Sequence, residues 1–256
     1  MTYSDAGIIL KRRDFGEADR LYSIYTREHG KIEAIAQGAR KIKSKLAAHL
    51  EPLTFGEFMF ANGRRIERLI QARVHESFSV LKNNLPRLGQ ANFIADILDN
   101  LTKQGERDWR VFNLLRESMT LLNSQTEAIG LEQCFVVKLL QLLGFELTLD
   151  RCVGCRNELL LSSSITINPL KGGVLCANCH MVGDLNNLSM SSDTLEAMRH
   201  IFATKEFGQI SYPSDSVYHE LKKVADIYLQ NHWGLIPKSK KFLEFTHNYA
   251  QHHSFV

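Results

Sequence analysis

Two cysteine pairs constrain this chain more than any other feature. Cys152-Val153-Gly154-Cys155 and Cys176-Ala177-Asn178-Cys179 are CxxC motifs separated by residues 156–175. Two residues between cysteines let one tight turn aim both sulfurs at the same ion. Two such turns supply the four tetrahedral ligands that zinc takes in structural sites. Gly154 lies inside the first turn, where unusual backbone angles are expected. Between the pairs, Ser164-Ile165-Thr166-Ile167 and Gly172-Gly173-Val174-Leu175 read as two short strands turning at Pro169 and the glycine pair. The spacing predicts a zinc ribbon over 151–182, with one Zn2+ on Cys152, Cys155, Cys176 and Cys179. Four thiolates leave no position for a water, so the metal is read as structural rather than catalytic. A disulfide, an iron–sulfur cluster, and a ligand set with His180 in place of one thiolate are the other readings open to these residues. Cys134, the fifth cysteine, lies in an apolar helical run and is read as core.

At 256 residues the chain is long enough for two domains with a sizeable core. No apolar run is long enough to span a bilayer. The first five residues carry no basic segment ahead of a long apolar one, so a cytoplasmic protein with reduced thiols is expected. The net charge of +3 is unevenly spread: residues 1–80 hold 14 Lys and Arg against 10 Asp and Glu. A basic first third points to a polyanionic partner.

That first third reads as strands at 6–13, 21–26, 31–37, 55–61 and 66–74, with a short helix at 44–50 after the third. Alternation is clearest at 31–37, and Asn62-Gly63 is a two-residue hairpin signal. Five strands and one small helix in about eighty residues match a closed barrel of OB type; a small barrel of another kind is the alternative. Basic residues cluster at strand ends: Lys11, Arg12 and Arg13 after the first strand, Arg20 at the start of the second, Arg40, Lys41, Lys43 and Lys45 after the third, and Arg64 and Arg65 at the hairpin, with Arg68 beyond. Such groups attract phosphates and release counterions. A plain solvated surface has the same composition. Tyr22, Tyr25, Phe58 and Phe60 could stack bases but are read as core, since strands bury one face.

Beyond Phe78 the period turns helical, at 92–102, 109–122 and 127–143. Ser124 and Glu127 form a capping-box pattern ahead of the third. Two more helices are expected from near Asp193 and over 215–231, and the end of the chain is read as fraying. His252-His253 is read as a chance pair. The expected class is α+β: an OB-fold β-barrel (1–79), an all-α helical domain in two parts (80–150 and 183–247) with the four-cysteine zinc ribbon inserted between them, and a tail (248–256). No nucleotide-binding loop, HExxH or GxSxG motif is present. Glu17 and Asp19 are the carboxylates most suggestive of a catalytic metal, but they stand beside Arg13 and Arg20 and are read as surface pairs.

Several segments together resemble the bacterial DNA repair protein RecO family. They are Ile9-Leu10, Asp14-Phe15-Gly16-Glu17-Ala18-Asp19-Arg20-Leu21, Thr26-Arg27-Glu28-His29-Gly30-Lys31, Gly38-Ala39-Arg40-Lys41-Ile42-Lys43-Ser44, Leu142-Leu143-Gly144-Phe145 and the stretches around both cysteine pairs. The glycine common in that family after the first knuckle is replaced here by Arg156. The resemblance implies an N-terminal OB fold, a helical domain and a zinc ribbon. It also implies a cytoplasmic, nucleoid-associated, non-enzymatic protein that binds single- and double-stranded DNA and anneals complementary strands. With RecR, such a protein helps RecA replace single-strand-binding protein (SSB). The competing reading is a zinc-ribbon nucleic-acid-processing enzyme with Glu17 and Asp19 near its site; a zinc-stabilised adaptor without a DNA role is the third.

Overall fold

The computed structural model describes residues 1–41, 50–63, 65–124, 130–159, 165–180, 184–211 and 213–253. The chain falls into two compact units, Met1–Thr126 with Pro237–Val256, and Glu127–Ile236. These divide the chain at other places than the five segments expected from sequence.

In the first unit, β1 (Thr2–Phe15), β2 (Asp19–Thr26), β3 (Gly30–Ala36), β4 (Phe55–Ala61) and β5 (Glu67–Glu76) form a closed barrel in the order β1-β2-β3-β5-β4. β1 pairs antiparallel with both β2 and β4, and a bulge between Ile9 and Lys11 bends it to serve both neighbours. Closure comes from a short parallel pairing of Ala34 with Glu67 and Ile35 with Arg68. This is the OB fold. Its interior is filled by Ile9, Tyr22, Ile24, Ile32, Phe58, Phe60 and Leu69, all buried. Burial alternates residue by residue along β3, as its sequence pattern predicts. β2 is buried on both faces, because the outward Ser23 hydroxyl donates to Asp99 at 2.6 Å and the Tyr25 hydroxyl to the Asp108 carbonyl at 3.5 Å. The helix expected at 44–50 lies largely outside the described residues.

After α1 (Ser79–Lys82), α2 runs Leu85–Leu101 and starts seven residues earlier than expected. Asn84 accepts from the Arg87 N–H, and Pro86 sits in the first turn, where its missing N–H costs nothing. α3 (Trp109–Asn123) is capped by Asp108. Ser124 closes α3, its N–H bound to the Thr120 and Leu121 carbonyls, instead of opening the next helix. Glu127, its supposed capping-box partner, lies outside the described residues. Through His253 the chain is helical where fraying was expected from 247: α7 (Lys240–His253) packs on α2 with Leu243 and Thr246 buried. The N–H and hydroxyl of Ser239 both bind Asp96 of α2, at 3.0 and 2.9 Å.

In the second unit, α4 (Leu131–Leu142) is buried from Leu131 to Leu140. It begins after Gly130, which has φ 76°; residues 127–129 of the helix expected there lie outside the described residues. α5 (Ser192–Ala203) and α6 (Asp215–Trp233) pack against it. Lys138 of α4 places its ammonium on the carbonyls of Ile201, Phe202 and Thr204 at the end of α5, at 2.7–3.0 Å. A cation there opposes the negative end of the helix dipole. The ribbon has three strands, where two were expected: β6 (Ile165–Asn168), β7 (Gly173–Leu175) and β8 (Leu188–Met190), in the order β7-β6-β8. Among the described residues no helix is long and apolar enough to cross a membrane.

Candidate metal centre and nucleic-acid surface

The two cysteine turns are brought together by β7. The Val153 N–H donates to the Val174 carbonyl at 2.9 Å, and Val174 in turn donates to Thr148, so the segment carrying the first turn lies along the strand that ends at the second. Each turn closes on its first cysteine, with Arg156 N–H on the Cys152 carbonyl and His180 N–H on the Cys176 carbonyl, at 2.8 and 3.1 Å. The four sulfurs consequently lie within 4.8 Å of one another, the spread of donors around one ion. Cys155 and Cys176 approach to 3.7 Å, far beyond a disulfide bond. His180 is not in the cluster; its Nδ1 lies 2.8 Å from the Ala177 carbonyl.

The surroundings suit thiolates. Burial opposes ionisation of Cys152, but N–H groups of Cys176, Cys155 and Gly154 outweigh it and bring that thiol down to about 6. Cys179, facing the other three sulfurs, is pushed up to about 12, because the sulfurs share protons when no cation joins them. A metal would relieve that crowding, so the donor set fits one. Gly154 is required for space and not, as expected, for its backbone angles. Its φ is not positive, whereas Arg156 adopts φ 65°. Cys134 is core as expected, with burial pushing its thiol up to about 12.

On the barrel, strand register gathers the basic residues. One line of paired residues crosses four strands: Arg13 opposite Leu21, Leu21 opposite Ile35, and Ile35 opposite Arg68. The neighbouring lines carry Arg12 with Tyr22 and Ala34, and Asp14 with Arg20 and Ala36. The Arg40 N–H donates to the Ala18 carbonyl at 2.9 Å, bringing Arg40 and Lys41 beside the β1–β2 turn. Arg12, Arg13, Arg20, Arg40 and Lys41 thus gather around the β1–β2 turn, and Arg68 joins their ladder through Ile35, while Arg65 stands on the β4–β5 connection, which leaves β4 at Ala61 opposite Thr2. Lys43, Lys45 and Arg64 lie outside the described residues.

Their charges are not equally available. Lys11 lies 3.9 Å from both Asp96 and Asp99 of α2. Arg12 pairs with Glu51 at 3.4 Å, and Asp14 is shared by Arg20 and Arg40 at 3.5 Å each. Arg13, Lys41 and Arg65 are exposed, and among the described residues none is held in an ion pair. Tyr22, Tyr25, Phe58 and Phe60 are at most 1% exposed, so they are core. Asp19 accepts the Gly38 N–H at 2.8 Å and serves the turn, while Glu17 is exposed. Among the described residues the four cysteines are the one group of three or more His, Cys, Asp or Glu side chains close enough to hold an ion.

The family model described as "Recombination protein O N terminal" matches residues 1–78, and "Recombination protein O C terminal" matches 82–241. The chain belongs to the RecO family of DNA repair proteins. The first match ends two residues after β5 completes the barrel, and the second takes in all four cysteines. The DNA repair protein RecO of Bacillus pumilus is 31% identical over 246 residues, covering 95% of this chain and 94% of its own length. The RecO of Clostridium perfringens is 33% identical over 245 residues, covering 93% and 96%. The RecO of Halalkalibacterium halodurans is 28% identical over 95% of both chains. A place in DNA repair and recombination follows from the family.

Proposed function

We propose that this RecO family member is a recombination mediator that works without a catalytic centre. It binds single- and double-stranded DNA, anneals complementary strands and, with RecR, helps load RecA on DNA coated by SSB. The observation that supports this reading is the gathering of arginines and lysines around the β1–β2 turn, where Arg13 and Lys41 are exposed and, among the described residues, in no ion pair. Annealing makes and breaks no covalent bond. It needs positive charge that screens repulsion between two phosphate backbones while the base edges stay free to pair. The buried barrel aromatics leave stacking to the bases themselves.

In the same reading Cys152, Cys155, Cys176 and Cys179 hold one Zn2+. Zinc there cross-links the two turns and supplies folding energy, and four sulfur donors leave no corner for a reacting water. Among the described residues the carboxylates form no group of three or more close enough to hold a second ion, and Asp19 accepts the Gly38 amide.

The test is annealing of SSB-coated complementary strands by the full chain, with Arg40, Lys41, Lys43 and Lys45 changed to alanine. The expected result is slower annealing with a weaker dependence on salt. Unchanged annealing and salt dependence, or metal-dependent cleavage of DNA lost on Glu17→Ala, would overturn the reading.

A further inference from the structure

Outside the arginine-rich end, the first unit has a surface cleft of about 600 Å3 lined by Glu51, Thr54, Ser77, Ser79 and Lys82. Its lining is hydroxyl-rich around one cation. The Lys82 ammonium donates to the Thr54 hydroxyl at 3.0 Å, which uses one of its three N–H groups. Among the described residues no carboxylate lies within ion-pair distance of it, and the Glu51 carboxylate is turned to Arg12. Burial lowers the Lys82 pKa from the ordinary lysine value, the mark of a charge without full compensation. Glu51 attracts Lys82 at longer range than an ion pair and offsets only part of the burial, so an anion in direct contact with the ammonium removes more of the cost.

The backbone around the cleft is strained in two places. Leu53 (φ 56°) directly precedes Thr54, and Phe78 (φ 51°) lies between Ser77 and Ser79. Among the described residues one other non-glycine residue, Arg156, has a positive φ. Both side chains are buried, so the core holds these turns in place. Strain of this kind persists where the surroundings enforce it and gathers at ligand sites. The cleft also adjoins the basic end of the barrel, because Glu51 on its rim holds Arg12.

We infer that this cleft seats one phosphate of a bound DNA strand, with Lys82 as its cation and the hydroxyls of Thr54, Ser77 and Ser79 as donors. The inference rests on the DNA-binding reading of the barrel and extends its footprint to a residue that sequence patterning did not single out.

The test is the salt dependence of single-strand binding by the full-length protein and by Lys82→Gln, Lys82→Arg and an Arg13→Ala/Lys41→Ala double variant. Losing one phosphate contact lowers the slope of log affinity against log salt by about 0.7 on single strands. Lys82→Gln is expected to show that drop with a melting temperature no lower than wild type, since a costly cation is removed, and Lys82→Arg, which keeps the charge, to retain the slope. If Lys82→Gln does not fold, Lys82→Met takes its place with the same expectation. A wild-type slope in the neutral variants overturns the phosphate seat. If the Arg13/Lys41 variant still loses slope, the barrel reading survives that result; if it too is unchanged, that reading fails as well. Millimolar inorganic phosphate provides the second arm: a melting shift in wild type but not in Lys82→Gln, with no change in DNA slope, would assign the cleft to free phosphate and contradict the inference.

Discussion

A side chain at position 154 would put its Cβ 2.9 Å from the Cβ of Cys179 and 3.1 Å from the Cys179 sulfur. The first cysteine turn therefore leaves no room for anything larger than glycine where the second turn comes against it. Gly154→Ala must shift Cys179 or the first turn, and either movement disturbs the cluster. Metal retention against a competing chelator is expected to fall by roughly tenfold or more, the scale on which disturbing a ligand's support weakens metal sites. Retention equal to wild type would mean that the turns approach each other differently.

Arg156 makes the opposite prediction. It holds φ 65° with a side chain where glycine has no steric penalty. Arg156→Gly is expected to stabilise the metal-loaded protein by about 1 kcal/mol, after allowing for glycine's greater freedom when unfolded. Urea denaturation measures this, and a loss of stability would show that the arginine side chain holds the turn.

Metal removal is expected to act on one unit. All four cysteines lie within Glu127–Ile236, and the barrel core draws on none of them. Chelation, or Cys152→Ser, should lower hydrogen-exchange protection across 127–236 while β1–β5 keep theirs. Equal loss in the barrel would contradict separate folding units.

The legible parts of this fold were those with a local cause. β3 alternates in sequence and in burial, and the CxxC spacing anticipated the sulfur cluster. The third ribbon strand was missed because Leu188–Met190 is too short to show a period. α7 was missed because its anchor is remote: Ser239 is tied to Asp96, across 143 residues of sequence. Remoteness in sequence also hid the pairing of Lys11, which reads as a free cation in sequence and meets Asp96 and Asp99 only after α2 folds back. Lys82 carried no signal, since one lysine among neutral residues is ordinary until a cleft forms round it.

Acid should loosen the second unit partly through Glu220. Burial works against its charge, but hydrogen bonds from Thr194 and from the N–H and hydroxyl of Ser191 outweigh it and hold its carboxyl below the ordinary value of 4.5. A lowered folded pKa means that the carboxylate stabilises the fold above pH 4.5, and that this is lost as pH falls through the lowered value. Glu220→Gln should be less stable at neutral pH and less sensitive to acid than wild type. Circular dichroism across pH 3–6, at fixed ionic strength, checks this as a difference between the two proteins; parallel acid curves would remove Glu220 from the account.

The central claim is that exposed positive charge on the barrel holds nucleic acid. Its most direct test is the salt dependence of single-strand binding by a variant with Arg13, Arg40, Lys41 and Arg65 all changed to alanine. With every one of these on a phosphate, the slope should fall by roughly 3, with weaker binding at low salt and an unchanged melting temperature. A folded variant that binds with the wild-type slope would place the DNA elsewhere on the molecule.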